Sequence, residues 1–329
     1  MDQVRSINLF AFGFTPTTKT ASSSRWRRAG WKLKRIKQLC FHCHNFGDFL
    51  SYQLVSALSE KGVRIAGQDE GGKLLAVGSI LWSLRDLDVI WGSGAHREGQ
   101  IPRRRIANCF AVRGPLTLAE LQHADVVSGE CDPLFFDPGI LVSFLYPDLC
   151  KADRISGKTV VIPHYTDVVR VRQWQKRAGI RLEVVDPLDH PYKVAKQIVR
   201  AERVISSSLH GLIFADAFGR SAVPLRLDGN REPSFKYVDY YQGSGRSTPR
   251  FSSDLSAALD RHPSPFHYRR EDLSRFLASF PYPMKSAFTR QLSDGPVSGW
   301  RQGPCRPPSF SNSRTGPSVI PGSTDFSMS

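Results

Sequence analysis

The sequence predicts a two-domain α/β protein built on parallel sheets, with a cleft between its halves. Three observations lead there. Short apolar runs alternate with amphipathic segments of roughly ten to fifteen residues, the pattern of parallel strands joined by helices. The alternation breaks at "DPGILVSFLYPDL" (137–149) and then resumes. The length of 329 residues suits about two domains.

The elements follow in order. "RIKQLCFH" (35–42) reads as the first strand. "DFLSYQLVSALSEKG" (48–62) has helical spacing, with Asp48 as its cap and Gly62 past its end. "KLLAVGSI" (73–80), "DVIWGSG" (88–94) and "FAVRG" (110–114) are strand-like, and Pro115 opens a helix. In the second half, strands are expected at 158–165, 181–187, 203–208 and 222–227, and helices at 167–179, 191–202 and 209–219. This gives an N-terminal domain over 34–150 and a C-terminal domain over 151–285. Residues 1–33 are Ser-, Thr- and Arg-rich, and 286–329 are Gly-, Pro- and Ser-rich. Both are expected to be disordered extensions, because such compositions bury too little apolar surface to offset ordering entropy.

The formal net charge of +15 implies an anionic partner. Much of the excess sits in "SSSRWRRAGWKLKRIK" (22–37), with more in 101–105 and 267–272. No helix-turn-helix or RNA-binding aromatic signature accompanies it, so nucleic acid is not an expected partner. No window approaches the roughly 18 apolar residues of a membrane span, and a cytoplasmic location is expected. The six cysteines are scattered, as free thiols in a reducing compartment would be. Cys40 and Cys43 have CxxC spacing with His42 and His44 beside them. No second ligand pair follows, and alternate residues of a strand face opposite sides, so no metal is expected.

In open parallel sheets, ligands bind beyond the C-terminal strand ends. "ISSSLHGLIFADAFG" puts Ser208, Leu209, His210 and Gly211 at such an end. Unpaired N–H donors at a helix start suit an anion, and a first-turn histidine can act as acid or base. A capped helix with a satisfied core histidine reads equally well from these residues alone. "NFGD" sits at the matching place in the first half: Gly47 permits close backbone approach, and Asp48 is a cap or a base. Arg113 ends "FAVR" and offers a fork for carboxylate or phosphate. Lys236 follows the last strand as a further cation. His164 reads as a core or surface histidine. There is no GxxxxGK[ST] loop and no G-x-S-x-G elbow, which leaves P-loop and serine-hydrolase chemistry unsupported.

"N-x-G-D" (45–48), "V-R-G" (112–114), "D-P-G-I-L" (137–141) and "S-S-L-H-G-x-x-x-A-D-A-x-G-x-x-x-x-P" (207–224) together resemble the polysaccharide pyruvyl transferase family. Within it the nearest likeness is to the ketal pyruvate transferases of bacterial exopolysaccharide (succinoglycan-type) synthesis. The resemblance covers about residues 33–283. It implies two Rossmann-like domains facing across a cleft, as in GT-B glycosyltransferases. It also implies transfer of pyruvate from phosphoenolpyruvate, as a ketal, to a sugar of a lipid-linked repeat unit, with release of phosphate and no cofactor. Carried over, His210 becomes the acid and Asp48 the base. Arg113, Lys236, Ser208, Leu209, Gly211, Asn45 and Gly47 become the substrate-binding residues. Many relatives carry arginine two positions before the histidine; here Ser208 stands there, so Arg113, Lys236 or Arg226 must supply that cation. The rival readings are a nucleotide-sugar glycosyltransferase of the same architecture and a non-catalytic polyanion-binding protein. Peripheral contact with anionic lipid at the inner face of the plasma membrane is a secondary expectation from the basic surface.

Overall fold

The computed structural model describes residues 6–13, 45–230 and 232–288. Strand β1 is Ser6–Phe10, helix α1 Phe46–Leu58, and β2 Gly62–Ile65. β3 (Leu74–Leu75), β4 (Val89–Trp91) and β5 (Asn108–Val112) follow. α2 (Pro115–His123), β6 (Leu134–Phe135) and the short α3 (Val142–Leu145) complete the first half. The second half holds β7 (Thr159–Ile162), α4 (Val168–Ala178), β8 (Glu183–Val184), α5 (Pro191–Arg200), β9 (Arg203–Ser206), α6 (Leu209–Ala217) and β10 (Ser221–Pro224). It ends with α7 (Phe235–Gly243), α8 (Leu255–Leu259) and α9 (Arg270–Ala278).

Two parallel sheets result, in the orders β2-β1-β3-β4-β5-β6 and β10-β9-β7-β8. Mixed α/β architecture with parallel sheets, compatible with Rossmann-like folds, is what the alternation predicted. The apolar residues of β7 and β9, Val160, Val161, Ile162, Val204 and Ile205, are all fully buried, as strands covered on both faces require.

The first half departs from expectation. Ser6–Phe10, assigned above to a disordered extension, is a strand inside the first sheet, flanked by β2 and β3. Ile7 and Leu9 are fully buried. "INLF" is too short for a membrane span but long enough for a buried parallel strand. The expected strand at 35–42, the 35–44 histidines and cysteines, the basic run 22–37 and the tail from 289 lie outside the described residues. Gly62, read as a helix terminator, instead begins β2. α1 also starts earlier than expected: Asn45 is its cap, its Oδ1 accepting from Gly47 N (2.9 Å) and Asp48 N (3.1 Å). Asp48 therefore has its carboxylate free of the capping role.

The halves share one apolar cluster that runs from Ile7, Leu50 and Trp91 to Val160, Val204 and Phe276. α9, late in the chain, returns to the first sheet. Trp91 stacks on Phe276 at 4.8 Å, and its Nε1–H donates to Ser279 Oγ at 3.0 Å. A second tie joins α2 to α7 through two glycines. A Cβ on Gly114 would stand 2.0 Å from the Asp239 carbonyl oxygen, and one on Gly243 would stand 2.4 Å from that of Arg113. Backbone meets backbone at this junction. Among the described residues, no helix is long and apolar enough to cross a membrane.

Candidate active site

A cleft of about 350 Å³ opens where the two halves meet. Asn45, Phe46 and Asp48 of α1 form one wall, and Ser208, Leu209 and His210 of α6 form another. Two helix N-termini, one from each half, thus deliver partial positive charge to one space. The backbone N–H of Phe46 donates to Pro187 O at 3.0 Å, fixing α1 to the second half.

The α6 wall is built by the serine run. Ser206 Oγ donates to Ile162 O (2.8 Å) or Ser208 O (2.9 Å) and accepts from Ser208 N (3.0 Å). Ser207 Oγ accepts from His164 N at 2.9 Å. These two serines hold the strand-to-helix turn. Ser208 occupies the cap position but its hydroxyl makes no capping bond; it faces the cleft instead. Gly211 does not line the cleft: a Cβ there would stand 2.3 Å from Ser206 Oγ, so this glycine packs α6 onto β7 and β9.

His210 and Asp48 both line the cleft. Gly47 lets the imidazole pack against α1, because a Cβ on it would stand 2.0 Å from His210 Nδ1 and 2.5 Å from Cγ. The imidazole lies against the bare backbone of α1. Its Nε2 is buried without a hydrogen-bond partner among the described residues. Burial, reinforced by Lys236 and Arg113, pushes His210 down to about 3, so the ligand-free ring is neutral. Burial pushes the Asp48 carboxyl up to about 7, against the pull of Lys236 and the Asn45 Nδ2–H bond to Asp48 Oδ2 at 2.5 Å. A carboxyl poised near neutrality suits proton transfer at physiological pH.

Of the three cations named from the sequence, only Lys236 lines the cleft. Its Nζ pairs with Glu232 Oε2, and burial pushes its ammonium below the usual range. Arg113 is 1% exposed. Its Nε–H donates to Asp239 Oδ2 at 3.0 Å, and its other nitrogens to Ser79 Oγ at 2.6 Å and to Ala95 O. It stands behind the wall and acts on the cleft through its charge. Arg226 lies over the Phe251 ring at 5.9 Å and is not a cleft residue either.

His164, Glu232 and His96 are among the cleft residues that the sequence reading did not name as site residues. His164, read as core or surface, lines the cleft, with Nε2 3.8 Å from Glu232 Oε1, and burial pushes it down to about 4. Glu232 and His96 also line it. Both had a signal: Glu232 stands four residues before Lys236, and His96 two residues beyond the small-residue loop that follows β4. Among the described residues, no group of three metal-ligating side chains is found.

The fold and site thus define an α/β protein whose cleft gathers a histidine, a carboxyl and a lysine at helix N-termini. The family model of polysaccharide pyruvyl transferase matches residues 15–229. The chain belongs to that family. It is similar to an uncharacterized protein of Acanthamoeba polyphaga mimivirus, 31% identical over 173 residues, which cover 50% of this chain and 57% of that protein. It is also similar to the succinoglycan biosynthesis protein ExoV of Rhizobium meliloti, 28% identical over 137 residues, 41% of this chain and 40% of that protein. The chain spans about half the length of the curated relatives it matches.

Proposed function

We infer that this protein transfers pyruvate from phosphoenolpyruvate to a sugar of a lipid-linked exopolysaccharide repeat unit, forming a ketal and releasing phosphate. The observation that supports this is that His210, Asp48 and Lys236 line one cleft beside two helix N-termini. Phosphoenolpyruvate carries a phosphate and a carboxylate, which suit Lys236 and the α6 N-terminus. Its arrival supplies the negative charge that favours a protonated His210. The imidazolium then gives its proton to the methylene carbon, leaving the adjacent carbon electron-poor. A sugar hydroxyl attacks that carbon and loses its proton to Asp48. A second hydroxyl closes the ketal as the carbon–oxygen bond to phosphate breaks; its proton restores His210, and the proton held by Asp48 leaves with the phosphate. Fixed positive charge beside the departing phosphate stabilises the developing anion.

Two parallel sheets with strand ends facing one cleft support a GT-B-like pairing of Rossmann-like units. The basic composition supports peripheral contact with anionic lipid, where lipid-linked acceptors reside; equal partitioning into anionic and neutral vesicles would remove that part. The main test is incubation with phosphoenolpyruvate and candidate lipid-linked oligosaccharides. The expected product gains the mass of a pyruvate ketal, with phosphate released in step. Stabilisation by nucleotide sugars but not by phosphoenolpyruvate would overturn the reading.

A further inference from the structure

Asp137 has no part in the chemistry above, yet it is the most conspicuous unused group near the site. It caps the 3-10 turn Pro138–Leu141, its Oδ1 accepting from Gly139 N at 2.9 Å. It is 0% exposed, and its Oδ2 has no hydrogen-bond partner among the described residues. His210 Nε2 is a second buried atom without a partner. The two side chains flank one residue: a Cβ on Gly139 would stand 3.1 Å from Asp137 Oδ1 and 3.6 Å from His210 Cδ2, the ring atom bonded to Nε2. The carboxyl that carries an unpaired oxygen and the ring that carries an unpaired nitrogen are thus neighbours across Gly139. Buried polar groups without partners are rare and call for an explanation.

The chemistry of the ring supplies it. With Nε2 sealed off, the nitrogen left to the cleft is Nδ1, on the edge that lies against Gly47. An imidazole that gives a proton from Nδ1 must end with its remaining proton on Nε2. One that takes a proton at Nδ1 must begin with it there. In either direction Nε2 keeps its hydrogen throughout and needs an acceptor.

We propose that Asp137 is the positioning residue of His210: its Oδ2 accepts the Nε2–H, fixes the tautomer and offsets the charge of the imidazolium. The bond is not formed in the ligand-free arrangement; catalytic hydrogen bonds often tighten only when substrate is bound. The charged and titratable groups around the pair are Lys236, Arg113 and His164 on the His210 side, and Arg113, Asp239 and Tyr268 on the Asp137 side. The proposal rests on His210 as the proton-transfer group, and its test is separable from the identity of the substrates.

The test is Asp137→Asn in the full chain. The Gly139 N–H needs an acceptor, so the side-chain carbonyl of the introduced asparagine keeps the cap and its amide NH2 faces Nε2. An N–H donor there forces the lone pair onto Nε2 and the proton onto Nδ1. Nitrogen-15 spectra of histidine-labelled protein, with the His210 signal assigned by its loss in His210→Gln, read the tautomer directly. The expected result is Nε2–H in the wild type and Nδ1–H in Asp137→Asn. With that, kcat for pyruvyl transfer falls by about 10- to 100-fold while the KM for phosphoenolpyruvate changes little. Gly139→Ala, whose methyl would crowd Asp137 Oδ1 at 3.1 Å and touch His210 Cδ2 at 3.6 Å without altering a charge, moves both readouts in the same direction. A wild-type ring already protonated on Nδ1, or a tautomer unchanged by Asp137→Asn, overturns the proposal. Failure of the wild type to transfer pyruvate would overturn the substrate assignment and leave the tautomer result to decide this one.

Discussion

Gly47→Ala is the sharpest probe of how the two halves make one site. The added Cβ would stand 2.0 Å from His210 Nδ1, 2.5 Å from Cγ and 2.6 Å from Cε1. Ordinary contact begins near 3.4 Å, so the ring must withdraw by more than an ångström. Overpacking of this kind costs about 1–3 kcal/mol. Alanine in place of glycine within a helix returns up to about 1 kcal/mol. The net loss of stability is therefore about 0–3 kcal/mol. Displacing a proton-transfer group by an ångström is far more damaging, about 10²-fold in rate. Phosphate release from phosphoenolpyruvate with an acceptor present, beside thermal unfolding, separates the two effects. Gly62→Ala, where a Cβ meets nothing within 4 Å, is the control. A Gly47→Ala enzyme with wild-type turnover and an unmoved His210 signal would refute the reasoning.

Asp48→Asn removes a carboxyl whose folded-state value, about 7, lies above its unfolded one. Ionising Asp48 opposes folding, so this penalty is absent below about pH 4 and complete above about pH 7. The variant is expected to melt several degrees higher than wild type at pH 8, melt alike at pH 4, and lose activity; an unchanged melting difference between the two pH values would contradict the buried carboxyl. Arg113→Ala leaves Asp239 buried with only Thr117 as its remaining donor residue. It should cost about 3–5 kcal/mol in denaturant unfolding; weaker phosphoenolpyruvate binding at unchanged stability would instead restore Arg113 as a direct ligand. Lys73→Met strands the carboxylate of Asp88, whose Oδ2 lies 2.7 Å from Lys73 Nζ in a fully buried pair. A loss of about 3–5 kcal/mol is expected there too, with kcat and KM retained in the folded fraction.

The sequence carried the second half of the fold well, because β7, β9 and α6 have strong periodicity and short connections. It carried the first half poorly. β3 falls inside the run read as a strand at 73–80 but is only two residues long, and β6, also two residues, is too short for any pattern. β1 was hidden by its polar surroundings and by its distance from α1. Within the site, Asp48, His210 and Lys236 were named from the sequence, and each stands in the first turn of a helix and lines the cleft. Arg113 directly follows β5 but points into protein, and only tertiary packing on Asp239 decides that. Glu232 was not singled out from the sequence, although it stands four residues before Lys236. Its ion pair with Lys236 means that an anionic ligand must compete for that ammonium.

The return of α9 to the first sheet bears on how the chain is made. Trp91 has its stacking partner Phe276 and its hydrogen-bond acceptor Ser279 only after nearly all the described chain exists. α1 likewise needs Phe214 against Phe46, at 5.1 Å, and Pro187 for its first N–H. Emerging from the ribosome, the first sheet would hold an unstacked tryptophan and a bare helix face until the last helix arrives. Such long-range pairing slows folding and leaves apolar surface open to association. A fragment ending near residue 150 is expected to aggregate or recruit chaperones, and the full chain to unfold in a single calorimetric transition. Two resolved transitions would show that each sheet completes its core unaided.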